Sequence, residues 1–240
     1  MTSKAARLFN AVEVGAVFSL RSFGPTWVVA AAVAAGIALP AMPLLRYTYL
    51  SFAIILLLLA WLKLRGEQLS TFGLVAPRWL RDIGLGVLLT IVLIATTNLV
   101  DHFLTPAIVA WTGANPNLAA ETFASIKGNL PVFLMIIPAV WAFAAFGEEF
   151  LYRGYLMTRL AGIFGGGRMA WVLAIAGQAI MFALAHWYQG VVGMVAIGIG
   201  AVITGIATVA WGRNLWPAII AHGLTDTLGF TLLYLGRPLS

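Results

Sequence analysis

Apolar residues run in long stretches separated by short polar connections. The runs lie at about Thr26–Leu45, Tyr47–Leu62, Ile83–Val100, Leu130–Phe146, Met169–His186, Val191–Trp211 and Leu215–Leu235. A membrane-crossing helix needs about 20 consecutive, mainly apolar residues. The pattern therefore predicts an all-α fold, a polytopic transmembrane helix bundle of seven to eight helices. Further helices are hidden in the N-terminal segment and in His102–Trp111, where the apolar signal is interrupted. From Lys4 to Arg21 basic residues flank an apolar stretch that Glu13 breaks, and no small-residue cleavage pattern follows. Residues 1–24 read as an interfacial or first helix rather than a removable signal, and residues 25–240 as a single transmembrane domain. The longest less apolar connections are Lys63–Asp82, containing TFGLVAPRW, and Asp101–Gly128, containing TGANPN. Both read as surface or interfacial loops.

Composition turns this pattern into a class. Of 240 residues 62% are hydrophobic and 9% charged, whereas soluble chains carry about 25% charged residues. An integral membrane protein with little extramembrane mass is the expectation, with the lipid bilayer as its permanent partner. There are no cysteines, which removes disulfides, thiolate metal sites and cysteine nucleophiles. The net charge of +6 comes without a basic run beyond isolated pairs, so no nucleic-acid partner is expected.

Grouping the basic residues by loop places Lys4, Arg7, Arg21, Lys63, Arg65, Arg78, Arg81, Arg153, Arg159, Arg168 and Arg213 on one side against Arg46, Lys127 and Arg237 on the other. Lys and Arg concentrate on cytoplasmic loops, which predicts a cytoplasmic N-terminus and insertion in the plasma (inner) membrane. Small residues such as Ala201 and Gly205, four apart, suit close helix packing.

With charge so scarce, an ionisable residue in an apolar run is a functional candidate, because at a helix centre it costs about 2.5–3.5 kcal/mol to insert. Three groups qualify. Glu148, Glu149 and Arg153 follow the run AVWAFAAF. If the helix continues, Glu149 and Arg153 share a face and pair, leaving Glu148, about 100° round the helix, as the free carboxylate. His186 closes FALAH, and His222 and Asp226 lie four apart on one face of the last run. Each has a plainer reading: solvated charge at a helix end, an interfacial histidine, a buried structural pair. Together they supply carboxylates and imidazoles on three helices, a set suited to hydrolysis. A Glu and a His can deprotonate a water, and a second His can donate to the oxyanion of a tetrahedral intermediate. Nothing resembles a nucleophile elbow, which disfavours a serine mechanism.

In this order and spacing the three segments resemble the CAAX protease and bacteriocin-processing family, also called Abi, of intramembrane proteases. The marks are Glu148-Glu149-x-x-x-Arg153, Phe182-x-x-x-His186 and His222-x-x-x-Asp226, with YRGYL and NLWPAIIAHGLTDTLGF in similar flanking positions. The resemblance covers a motif core at 146–232. It implies a peptidase of the type II CAAX prenyl protease kind, with Glu148 as general base, His186 helping to position the water, and His222 with Asp226 at the oxyanion. Glu149 and Arg153 become a structural ion pair, and the partner is a peptide or protein substrate in the membrane. CAAX-cleaving eukaryotic members favour Asn at the last position, and an ionised Asp226 can only accept hydrogen bonds. Orientation of His222 is therefore its expected role.

No cofactor is expected. The alternative is a divalent metal such as Zn held by two His and a Glu, though no H-E-x-x-H pair is present. Two other functions compete: a non-catalytic scaffold or bacteriocin-immunity protein of the same fold, and a proton-coupled transporter, for which no internal repeat is evident. A difficulty concerns depth. His186 lies 18 residues beyond Arg168, about 27 Å along a straight helix, which separates it from a Glu148 near the inner end. They meet if the fourth helix continues through FLYRGYLMTRLAGIF or if the fifth span starts outside and ends inside the bilayer.

Overall fold

The computed structural model describes residues 44–237, with side chains placed from Ala53 onward. The expected interfacial segment 1–24 and residues 26–43 of the first expected span lie outside the described residues. Counting contiguous helical segments as one, the described residues form seven helices and no strand. They are α1 (Leu44–Leu64), α2 (Trp79–Thr112), the short α3 (Leu118–Thr122), α4 (Leu130–Ile163), α5 (Arg168–Ala185), α6 (Gly190–Ala210) and α7 (Trp216–Tyr234). By length and composition α2, α4, α5 and the segment Trp187–Ala210 can each cross a membrane. The protein is an integral membrane helix bundle. Large apolar side chains such as Ile83, Val87, Leu88 and Ile91 of α2 point outward, where lipid meets them as readily as a protein core would.

Two helices run further than the apolar pattern indicates, and both contain π-helical turns next to a proline. In α2 the polar residues Asp101 and His102 sit in a π-helical turn, Val100–Leu104, just ahead of Pro106. Proline removes an N–H and clashes with the carbonyl four residues back, and widening the turn accommodates both while the helix continues to Thr112. The connection expected from Asp101 therefore starts only at Gly113, whose φ of 68° terminates the helix. In α4, Pro138 lies inside the helix, and residues Val140–Leu156 immediately after it are π-helical. Such widened turns recur at functional sites. Asn129 starts α4 by accepting a hydrogen bond from the Val132 N–H at 3.3 Å, with Pro131 in the first turn.

Close helix approaches are made at glycines. A Cβ on Gly86 of α2 would lie 2.6 Å from Ile220 of α7, and one on Gly223 would lie 2.6 Å from the Trp141 ring of α4. The small pair Ala201 and Gly205 of α6 faces α5: Gln178 donates to the Ala201 carbonyl at 3.0 Å, and its amide nitrogen would meet a Gly205 Cβ at 3.0 Å.

The bundle has two dissimilar ends. One collects the end of α1, the 65–78 connection, the 164–167 turn and the 211–215 connection, and it carries Lys63, Arg65, Arg78, Arg81, Arg159, Arg168 and Arg213. The other holds the start of α1, the 113–129 connection and the end of α7, where Gly128 N–H donates to Tyr234 O at 2.9 Å. It carries Arg46, Lys127 and Arg237.

At the basic end TFGLVAPRW is not a loose loop. Leu215 N–H donates to Gly73 O at 3.1 Å, the Trp216 indole donates to Val75 O at 2.8 Å, and Arg159 pairs with Glu67. Asp82, fully buried, accepts from Arg78 N–H and from the Asn214 amide, both at 2.8 Å. Asp82→Ala leaves the buried Asn214 amide unpaired and frees the Arg78 N–H, and the buried amide alone is expected to cost about 1–3 kcal/mol. A lowered melting temperature in detergent, partly reproduced by Asn214→Ala, is the measurement.

Candidate active site

Three helices deliver the ionisable side chains singled out above. Glu148, Glu149 and Arg153 come from the π-helical part of α4, His186 from the end of α5, and His222 and Asp226 from α7. The depth difficulty is resolved by the uninterrupted α4. α4 and α5 form an antiparallel hairpin about residues 164–167, with Glu148 fifteen residues before Ile163 and His186 eighteen after Arg168 (163 − 148 and 186 − 168). Both lie about four to five helical turns from the loop, so they arrive level. Glu148 Oε2 and His186 Nε2 are 3.9 Å apart.

Arg153 Nη1 donates to Glu149 Oε1 at 3.0 Å, and both side chains are 2% exposed. The spacing of four predicted this pair. The structure adds a second partner that the spacing did not reveal: His222 Nδ1 lies 2.8 Å from the same Glu149 oxygen. Glu149 thus holds an arginine on its own helix and an imidazole 73 positions away. A carboxylate bound to Arg can only accept, so His222 Nδ1 carries the proton and donates. The other nitrogen, Nε2, then faces Asp226 Oδ2 at 3.5 Å and Glu148 Oε2 at 4.0 Å.

His186 is fixed from behind. Its Nδ1 lies 2.8 Å from the Phe182 carbonyl, an acceptor only, which places the proton on Nδ1. In the neutral ring Nε2 is then a lone-pair acceptor turned toward Glu148. Phe182 is the hub around which these groups assemble. Arg153 lies over its ring at 4.2 Å, and the ring centroids of His186 and His222 stand 4.5 and 6.3 Å from its own. Buried cation–π contacts of this kind add roughly 2 kcal/mol.

Glu148 Oε2 is buried and has no hydrogen-bond partner in the protein. It lies in the wall of a cavity of about 570 Å³. The rest of the lining is mainly apolar, including Ile94, Ile136, Val140, Phe143 and Phe230, with a polar minority of Thr97, Asn98, Tyr188, Gln189 and Thr225. These polar residues carry no mark in the sequence, because each is an ordinary residue until α2 and the 187–189 turn fold around the site. Predominantly apolar clefts with a few convergent polar groups are the usual form of a binding site. Among the described residues no three His, Asp or Glu donors are grouped so as to hold a metal ion.

Residues 130–228, from the start of α4 to the middle of α7, match the family model for Rce1-like type II CAAX prenyl endopeptidases. This match supports the CAAX protease family. No curated protein and no solved structure matches the chain. The matched segment contains all six candidate residues and the whole hairpin that levels Glu148 with His186. What the CAAX protease match supports is a peptidase fold, a bilayer environment and a peptide substrate.

Proposed function

We propose that the chain is an intramembrane endopeptidase in which Glu148 and His186 activate a water against a peptide bond held in the cavity. The observation that carries this reading is the pair of acceptors facing one another across 3.9 Å. A carboxylate oxygen and an imidazole lone pair have nothing to donate to each other. A water, with two O–H groups, donates to both at about 2.8 Å from each, and its oxygen lone pairs are then free to attack.

In the reaction the water oxygen forms a bond to the substrate carbonyl carbon while Glu148 takes a water proton. The carbonyl π-electrons move to oxygen, and the oxyanion is met by Nε2–H of His222 in its imidazolium form. Collapse breaks the C–N bond, and the proton held by Glu148 passes to the leaving amine. Glu149 keeps Nε2 of His222 turned inward by accepting from Nδ1, and Asp226 Oδ2 lies 3.5 Å from Nε2, on the other side of the ring. Glu149 and Arg153 are then positioning residues, and Asp226 acts through His222. A general base of this kind is worth about two to four orders of magnitude, and an oxyanion donor about two to three.

The reaction proposed here uses a water and no metal ion. Comparison of membrane-proteome N-termini between cells expressing the natural chain and cells expressing Glu148→Gln is expected to reveal termini that depend on Glu148. These termini are expected to persist in isolated membranes after exhaustive chelation. An identical set of termini in both cell lines supports the scaffold or immunity reading instead, and loss on chelation with recovery on added zinc would reinstate the metal.

A further inference from the structure

The cavity and the basic residues lie at opposite ends of the molecule. Between the site and the basic end the bundle is filled: Phe72, Phe150, Tyr155, Leu156 and Leu215 are each at most 1% exposed. Gly154 has no room for a Cβ, which would lie 2.7 Å from Phe72 O and 3.0 Å from Leu215. In the other direction the cavity continues past the site. Its walls include Ile136 in the first two turns of α4, Ala119 and Phe123 of the 113–129 connection, and Leu232 and Leu233 at the end of α7. The 187–189 turn between α5 and α6 lies at the site rather than at the far end, so these walls rise beyond it.

Seven basic residues of the described chain stand at the filled end and three at the end toward which the cavity extends. The described acidic residues outside the site do not alter the balance, with Glu67 and Asp82 at the first end and Asp101 and Glu121 at the second. Short loops rich in Lys and Arg stay in the cytoplasm.

We infer that the substrate reaches Glu148 from the side of the membrane opposite the cytoplasm, as an apolar peptide segment that has already been translocated or inserted. This rests on the endopeptidase reading for what happens at Glu148, and on charge and cavity shape for the route. The reaction class that must supply the substrate is membrane translocation, and the cleaved product is released on that same side. A lipidated C-terminus presented in the cytoplasm would meet the filled end.

The absence of cysteine from the chain makes the route directly measurable. Single cysteines are placed at Ser70 (Ser70→Cys, basic end), Ser125 (Ser125→Cys, opposite end) and Thr225 (Thr225→Cys, cavity wall) of the full chain. Intact cells expressing each are treated with a membrane-impermeant maleimide. The expected result is labelling of Ser125→Cys and Thr225→Cys in intact cells and loss of Ser70→Cys labelling until the membrane is permeabilised. Labelling of Ser70→Cys from outside overturns the inference, as does a Thr225→Cys that reacts only after permeabilisation. The same three cysteines in a Glu148→Gln background are expected to give the same pattern. Labelling thus reports the route independently of catalysis: unchanged termini in Glu148→Gln defeat the endopeptidase reading, and inverted labelling defeats the route.

Discussion

Glu148→Gln is expected to lower turnover by about a hundred- to ten-thousand-fold while leaving the protein folded. Glutamine has nearly the same shape, and Oε2 of Glu148 makes no hydrogen bond within the protein, so no hydrogen bond from that oxygen is lost with the charge. What disappears is a base able to accept the water's proton. The amide that replaces the carboxylate has donors of its own that can turn to Nε2 of His186 and displace the water from its second acceptor. His186→Ala is expected to reach a similar floor, since the water needs both acceptors, and the double variant to fall little further, as residues acting as a unit are strongly non-additive. Single-turnover cleavage of a substrate recovered from the comparison of termini, measured beside melting curves, is the test. Wild-type turnover in Glu148→Gln would remove this residue from the reaction.

Arg153→Ala is expected to destabilise the protein by about 3–5 kcal/mol, the usual cost of stranding one member of a buried ion pair. Glu149 would keep its carboxylate in a site 2% exposed with only His222 against it, and Phe182 would lose the cation over its ring. Glu149→Ala strands the guanidinium in turn. The double variant Arg153→Ala with Glu149→Ala is expected to be less destabilised than the sum of the singles, because neither charge is left alone. Thermal unfolding in a fixed detergent measures all three. Because Glu149 also accepts from His222, the protein that survives Arg153→Ala is expected to show a larger loss in kcat than in KM. Stability equal to the natural chain in Arg153→Ala would mean that the pair holds nothing together.

These two residues show what a sequence can and cannot convey. The Glu149–Arg153 pair was legible because its geometry is local, four positions on one helix. The ionisable groups themselves were legible because they interrupt apolar runs. The hydrogen bond from His222 to Glu149 was not, since it depends on how α7 is rotated against α4, and that rotation is set by contacts such as Gly223 beneath Trp141. Asp82 was read as the end of a loop for a related reason: only the docking of the 211–215 connection brings Asn214 to it and makes it a buried anchor. The extent of α2 was obscured by Asp101, His102 and Pro106, three residues that suggest a chain leaving the membrane and instead occupy or adjoin a widened helical turn. The cavity's polar lining was the least visible part, because Asn98, Tyr188 and Thr225 become neighbours only in the folded bundle.

The α4–α5 hairpin works as a ruler. Its arms of fifteen and eighteen residues (163 − 148 and 186 − 168) bring Glu148 and His186 to 3.9 Å, so the level at which they meet depends on the number of residues on each side of the turn. One residue deleted from either arm would slide its end of the pair by about 1.5 Å and swing it about 100°, turning the side chain away from its partner. The Gly165-Gly166-Gly167 turn is different: it lies outside both arms, is exposed, and has no neighbour within 4 Å of any added Cβ. Insertions or deletions in this turn are therefore expected to leave the distance between base and imidazole unchanged.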